Sequence, residues 1–287
     1  MSSLVPEEIA NEVNAHKLTP RGTEPFLKWA GGKRWFVKEY GEVIFDHLQS
    51  HATGRYIEPF LGGGSMALYL GLQGRMMLGD REQDLIMTYC TLRDEPEELC
   101  GFLTEIFEFG TDEASYYAVR EMKPKGYLER AARMIYLNRL GFNGLYRKNK
   151  MGEFNVPYGK QERSMPSVEK LLDVSLALRT AALYDEDFDV LVEQAEEGDL
   201  LYIDPPYDGT FEGYSAEGFG DDDQERLANS LFRAIQRGAN LIVHNADTER
   251  IRKLYAWAEI ESIEEKRAIN SDGGKRGAVP CLLITSL

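Results

Sequence analysis

Nowhere in this chain do apolar residues run on for the roughly eighteen positions that a membrane-crossing helix needs. The N-terminal stretch is polar and acidic, unlike a secretory leader. Cysteine is scarce: the three present, Cys90, Cys100 and Cys281, are odd in number and lack ligand spacing. That speaks against a disulfide framework, a cysteine zinc site and a nucleophilic thiol, and it fits buried thiols in a reducing compartment. A cytoplasmic location with no membrane and no metal partner is expected. Internal repeats and low-complexity segments are also missing, which excludes solenoids and related arrays. Positive charge is the last shortage, with 33 Lys and Arg against 48 Asp and Glu, a net charge of −15. As an average that disfavours a polyanionic partner, because neutralising phosphates takes cationic side chains.

The average conceals a segregation. Between Arg120 and Arg163 eleven Lys or Arg face four Asp or Glu, a balance of +7, which leaves 22 positive and 44 negative residues elsewhere, a balance of −22. Arginines in that segment are interleaved with Tyr136, Phe142, Tyr146 and Phe154, which suits nucleic acid better than a merely solvated charge run. A basic lobe on an acidic body binds DNA while the acidic faces repel non-specific contact. A chain of 287 residues is long enough for a full α/β core and a smaller lobe.

Residues 1–22 read as a tail. Strands are expected at 56–60, 76–79, 200–204, 241–244, about 258–264 and 281–285, and their mostly continuous apolar character suits a sheet covered on both faces. Between Asp80 and Leu200 strands are scarce. Helical spacing covers Glu97–Glu108, Glu113–Glu121 and Leu128–Leu140, with Pro96 just inside the first start. Gly144 to Gly159, rich in Gly, Asn and aromatics, reads as a loop or hairpin. The expected organisation is one α/β catalytic unit, 23–88 with 166–287, interrupted by a helical and hairpin insertion at 89–165. Asn270 to Gly277 reads as a second flexible stretch, either near a ligand or a plain surface loop.

Three motifs carry chemistry. Asp204-Pro205-Pro206-Tyr207 follows the apolar run Leu200–Ile203, where binding crevices open in α/β sheets. Consecutive prolines remove backbone donors and fix φ, so nearby carbonyls become rigid acceptors. An Asp acceptor and a flat Tyr ring beside them suit the exocyclic amine of a planar heterocycle, although a polyproline turn with a surface Tyr fits the same residues. Tyr56 to Ser65 runs from an apolar strand start through Glu58 and Phe60 into Gly62-Gly63-Gly64, where glycines permit tight turns and close backbone approach to a ligand. Asp80 ends another short strand at the separation from that loop at which a carboxylate accepts from ribose hydroxyls. Together these describe a nucleoside-cofactor site. The loop alone does not separate a nicotinamide cofactor from S-adenosylmethionine, and Asp80 is equally a plausible cap or turn residue.

With Phe26 to Lys33, the glycine loop, Asp80 and the tetrapeptide in this order, the chain resembles the Dam-family, D12-class DNA adenine-N6 methyltransferases from about residue 25 to its end. A further stretch, Tyr136 to Arg147 and then Gly152 to Gly159, is similar to that family's DNA-reading segment. The resemblance implies a Rossmann-like class I methyltransferase sheet and transfer of a methyl from S-adenosylmethionine to a flipped adenine of double-stranded DNA by a monomer. It places Asp204, Pro205, Pro206 and Tyr207 at the target amine. Trp29, Lys33, Glu58, Phe60, Gly62, Gly64, Asp80 and Asp204 would line the cofactor site. On the DNA side it implies Lys28, Arg139, Phe142, Asn143, Leu145, Arg147 and Asn155, with Arg147 as the base-reading arginine, since a guanidinium grips guanine O6 and N7. Asn143 is also a natural turn residue before Gly144.

The chain departs from the family pattern in two places. Asp80-Arg81-Glu82 stands where Asp-Ile-Asn is common, which puts cofactor contacts beyond Asp80 in doubt, and Phe142 stands where Tyr is frequent. Most of the reading segment matches members that act on GATC, so GATC or a close relative is the expected site. A cytosine-N4 methyltransferase is the nearest alternative, because its amine has the same geometry. A nicotinamide-dependent oxidoreductase and a DNA-binding protein without catalysis are more distant ones.

Overall fold

The computed structural model describes residues 22–50, 54–149, 151–161, 163–209, 218–266 and 278–286. The expected tail, apart from residue 22, and the stretch Asn270 to Gly277 lie outside these residues. Strands β1 (Tyr56–Glu58), β2 (Met76–Gly79), β3 (Ala182–Tyr184), β4 (Leu200–Ile203), β5 (Asn240–Ala246), β6 (Glu259–Lys266) and β7 (Ala278–Ser286) form one sheet in the order β3-β2-β1-β4-β5-β7-β6. The first five are parallel, and β7 runs antiparallel to both β5 and β6. This is the α/β sheet expected of a class I methyltransferase. β3 was not anticipated. Its three half-buried residues at the sheet edge are too few to show a period.

Alternation along the strands builds the two faces. Tyr56, Met76, Leu78, Leu200, Tyr202 and Ile242 enter one core, while Ile57, Met77, Leu201, Ile203, Leu241 and Val243 enter the other. Helices α1 (Arg34–Ser50), α2 (Ser65–Leu70), α3 (Gln83–Asp94) and α7 (Val168–Leu178) cover the first face. Helices α8 (Phe188–Val192), α9 (Asp221–Gln236) and α10 (Glu249–Leu254) cover the second, which gives three layers.

Between β2 and β3 the chain makes α4 (Pro96–Phe109), α5 (Glu113–Glu121) and α6 (Tyr127–Leu140). Pro96 opens α4, where its missing N–H costs nothing, and Asp112 caps α5 by accepting from the Ala114 and Ser115 amides. Leu99, Leu103, Ala131 and Ile135 extend the first core, whereas Tyr116, Tyr136, Phe154 and Val156 form a small core of their own. The segment expected to be a loop or hairpin is held by isolated antiparallel bridges, Gly141 to Tyr158 and Lys148 to Phe154.

The order of the strands fixes where a ligand binds. β2 and β3 lie on one side of β1, then the chain crosses to β4 on its other side, so a crevice opens at the carboxyl ends of β1 and β4. Register there is Tyr56 to Leu200 and Ile57 to Leu201. At the opposite ends the Arg55 guanidinium grips the buried Asp199 carboxylate, with contacts at 2.6 and 3.1 Å.

Candidate active site

Leaving β4 at the crevice, the chain enters Asp204 to Tyr207, with Pro205 buried and Pro206 exposed. Lys33, 4% exposed, places its ammonium 3.0 Å from the Asp204 Oδ2 atom, 2.8 Å from the Gly31 carbonyl it donates to, and 5.1 Å from the centre of the Tyr207 ring. The lysine expected beside a cofactor therefore also pairs with the Asp204 carboxylate and faces the Tyr207 ring. Asp204 is half-buried, and the buried cation in contact restores part of the hydration it loses.

Glu58, at the end of β1, accepts at Oε2 from the Tyr56 hydroxyl at 2.9 Å. Burial, with Asp204 nearby as a second negative charge, pushes its carboxyl up to about 8 despite that hydrogen bond. Asp80, at the end of β2, is pushed up to about 6 by lost hydration, although it accepts from the Glu82 and Gly62 amides at 2.9 Å each. Its carboxylate thus ties the glycine loop to the neighbouring strand. Gly62 and Gly64 have φ of 48° and 65°, and a Cβ on Gly62 would stand 2.7 Å from the Trp29 indole. Trp29 lies on this loop and stacks on Tyr146 at 5.6 Å. Phe60, half-buried beside the glycine loop, packs against Phe188 and Phe219 at 5.5 and 5.6 Å.

The nucleic-acid side starts from an asparagine that sequence reasoning missed. Asn138 is fully buried in α6; its Oδ1 accepts from the Lys28 amide at 2.9 Å, and its Nδ2 donates to the Lys28 and Gly144 carbonyls at 2.7 and 3.1 Å. One amide therefore brings the Lys28 segment against the reading segment, closely enough that a Cβ on Gly144 would meet the Lys28 side chain at 2.5 Å. The signal that could have found it is its place directly after the buried run Met134 to Leu137 in α6. Asn143 has φ 55°, the turn conformation its type tolerates, and Phe142 beside it is exposed. Leu145 is half-buried against the small core. Arg147 is exposed and donates through Nε to Asn155 Oδ1 at 2.8 Å, so these residues share one edge of the hairpin.

Burial lowers the pKa of the Lys28 ammonium, and Arg163, Arg139 and Arg34 lower it further, which marks a basic cluster that includes two arginines not singled out from sequence. Arg139 itself donates to the Ser164 carbonyl at 3.2 and 2.9 Å. Lys148 bridges Glu82 and Asp84, and Asp84 also takes the Tyr146 hydroxyl at 3.0 Å and Arg130 at 2.6 Å. Burial raises the Asp84 pKa, but Lys148, Arg130 and Tyr146 more than reverse this and hold it down at about 2. Among the described residues no group of His, Cys, Asp and Glu is arranged to hold a metal, and no helix is long and apolar enough to cross a membrane.

A three-layer sheet with its glycine loop and its Asp-Pro-Pro-Tyr turn on adjacent strands defines a class I methyltransferase. A model of the D12 class N6 adenine-specific DNA methyltransferases matches residues 29–269, and the chain belongs to that family. It is 34% identical over 277 residues to the type II methyltransferase M.MjaIII of Methanocaldococcus jannaschii, covering 88% of this chain and 95% of the relative. Identity to the DNA adenine methylase of Escherichia coli strain K12 is 32% over 268 residues, 90% and 93% of the two chains. The retron Ec67 DNA adenine methylase of Escherichia coli is 32% identical over 256 residues, 87% and 86%. The protein is accordingly an adenine-specific DNA methyltransferase, and the cytosine, nicotinamide and non-catalytic alternatives fall away.

Proposed function

We propose that this protein transfers a methyl group from S-adenosylmethionine to N6 of an adenine flipped out of duplex DNA, within GATC or a closely related site, acting as a monomer in the cytoplasm. The observation that carries the reading is the meeting of Glu58, the glycine loop and Asp204 at the ends of β1 and β4. Trp29, Lys33, Glu58, Phe60, Gly62, Gly64, Asp80 and Asp204 would hold the cofactor. The donor set fits it, with the buried Glu58 carboxyl for an ammonium, the half-buried Asp80 carboxyl for a ribose, and half-buried Gly62 and Gly63 between them. Bound there, S-adenosylmethionine supplies an electrophilic methyl carbon.

Everything else falls to the protein. The adenine amine is a poor nucleophile because its lone pair is delocalised into the ring. When the Asp204 carboxylate and the Pro205 carbonyl each accept one amine hydrogen, the nitrogen is held pyramidal and its lone pair points outward. Positioning of this kind accounts for most of the acceleration without a covalent enzyme intermediate. The N6 proton becomes acidic only after the new C–N bond has formed, and it leaves toward Asp204 or water. Lys33, in contact with Asp204, would hold that carboxylate in place until the base arrives. Flipping costs a few kcal/mol, and stacking on Tyr207 offsets part of that, about 1–3 kcal/mol. Lys28 and, from the insertion at 89–165, Arg139, Phe142, Asn143, Leu145, Arg147 and Asn155 form the DNA-reading edge.

The test is transfer of labelled methyl to defined duplexes followed by nucleoside analysis. N6-methyladenine in GATC duplexes and not in scrambled ones is expected; label on cytosine, or none, would refute the reading. Asp204→Ala should abolish transfer with cofactor affinity within a few-fold of wild type by equilibrium dialysis. An active Asp204→Ala enzyme would overturn the role of that carboxylate.

A further inference from the structure

Gln224 on α9 and Asn245 on β5 are 2% and 0% exposed, polar, and outside every set of residues discussed above. They form a chain of hydrogen bonds whose polarity is dictated by the backbone. The Asp208 and Ala246 amides both donate to Asn245 Oδ1, at 3.0 and 2.8 Å. A peptide N–H can only donate, so this atom must be the oxygen and the Asn245 NH2 must point away. That NH2 donates to Gln224 Oε1 at 3.0 Å, which leaves the Gln224 NH2 to donate to the Pro206 carbonyl at 2.9 Å. The relay therefore grips the peptide groups on both sides of Tyr207. Few other handles exist there, because Pro205 and Pro206 have no N–H to hold.

We propose that Gln224 and Asn245 are positioning residues for methyl transfer: they commit the Pro206 carbonyl inward, so that the Asp204 carboxylate and the Pro205 carbonyl are the acceptors turned to the target amine. This rests on the methyl-transfer reading above. An apolar pair of the same volume would fill the space between α9 and β5, but it would leave the turn free to rotate and offer the wrong carbonyl. Thr248 extends the hold by donating to Asp208 Oδ2 at 2.7 Å.

Gln224→Glu tests the relay. Its carboxylate keeps the shape and still accepts from Asn245, but it donates nothing to Pro206. When protonated it again has one acceptor and one donor, as Gln does. Once the pH is high enough to ionise that carboxyl, which burial raises as it raises Glu58, kcat should fall by up to about a hundredfold, the scale of a small misplacement of reacting groups, while the dissociation constants for S-adenosylmethionine and a GATC duplex stay at wild-type values. As pH is lowered, kcat relative to wild type should recover. The ionisable groups around the relay are Asp204 and Tyr207 in the held turn, Asp208, 3.9 Å from Arg250, Asp223 and Glu225 on α9 and, on β5, the buried His244, held well below its usual pKa by burial and by Lys33. The wild-type profile subtracts their contribution. Gln224→Met, with no donor at all, should lose kcat without recovering at any pH. A Gln224→Glu kcat that follows wild type over the whole range from about pH 6 to 9.5, or a loss that does not change with pH, overturns the proposal, and the isosteric variant decides even if Gln224→Met fails to fold. A wild-type enzyme that makes no N6-methyladenine would instead defeat the underlying reading.

Discussion

Asp204 and Glu58 are neighbouring carboxyls in opposite surroundings. The first has an ammonium at 3.0 Å. The second has a hydroxyl at 2.9 Å, and burial pushes it up to about 8. Environments that drive two acids apart assign them different work. Asp204 is paired with the Lys33 ammonium; Glu58 is neutral at pH 7 until something cationic makes ionisation worthwhile. If Glu58 meets the cofactor's ammonium, binding expels a proton below pH 8. Affinity should then climb with pH by at most about tenfold per unit, and turn over near 8, where an α-amino group loses its own proton. Glu58→Gln should remove the rising limb and keep the falling one. Calorimetry in buffers of differing ionisation enthalpy checks this directly, and proton uptake on binding would contradict it.

Elements meet through contacts that no local pattern encodes. Asn138 in α6 holds both the Lys28 segment and Gly144, each outside its own helix. Asn138→Leu should cost at least about 2 kcal/mol by urea denaturation, since buried peptide groups lose their partners. It should also weaken DNA binding more than cofactor binding. The same reasoning explains what the sequence disclosed. The tetrapeptide and the glycine loop are contiguous, their chemistry is local, and both were legible, as were α4 to α6 from spacing and the Pro96 start. By contrast the Lys33 contact with Asp204, the Gln224–Asn245 relay and the Lys148 bridge to Glu82 and Asp84 join residues far apart in sequence. Only the folded sheet brings them together. β3 escaped notice because its three residues owe their pairing to β2 rather than to their own pattern.

On the scale of the whole molecule, the acidic surplus and the basic insertion divide the surface. Lys28, Arg34, Arg139 and Arg163 form one basic cluster, and Lys28 packs against Gly144, three residues before Arg147. DNA affinity on such a surface falls steeply with salt, by a slope of about 0.9 per neutralised phosphate. Arg147→Ala should lower that slope little and instead erode discrimination between GATC and altered sites by about 1–3 kcal/mol, with cofactor affinity unchanged. Binding titrations on a panel of duplexes at several salt concentrations measure both quantities, and intact discrimination would remove its assigned role. The pairing of β1 with β4 has one more consequence. Ile57 and Leu201 are neighbours in the sheet although the entire insertion is synthesised between them. While the chain is being made, β1 waits as an open edge that other strands can join. A ribosome stalled before Asp199 would hold a chain with no Arg55 latch and half a pocket, so this enzyme gains its chemistry late in its own birth.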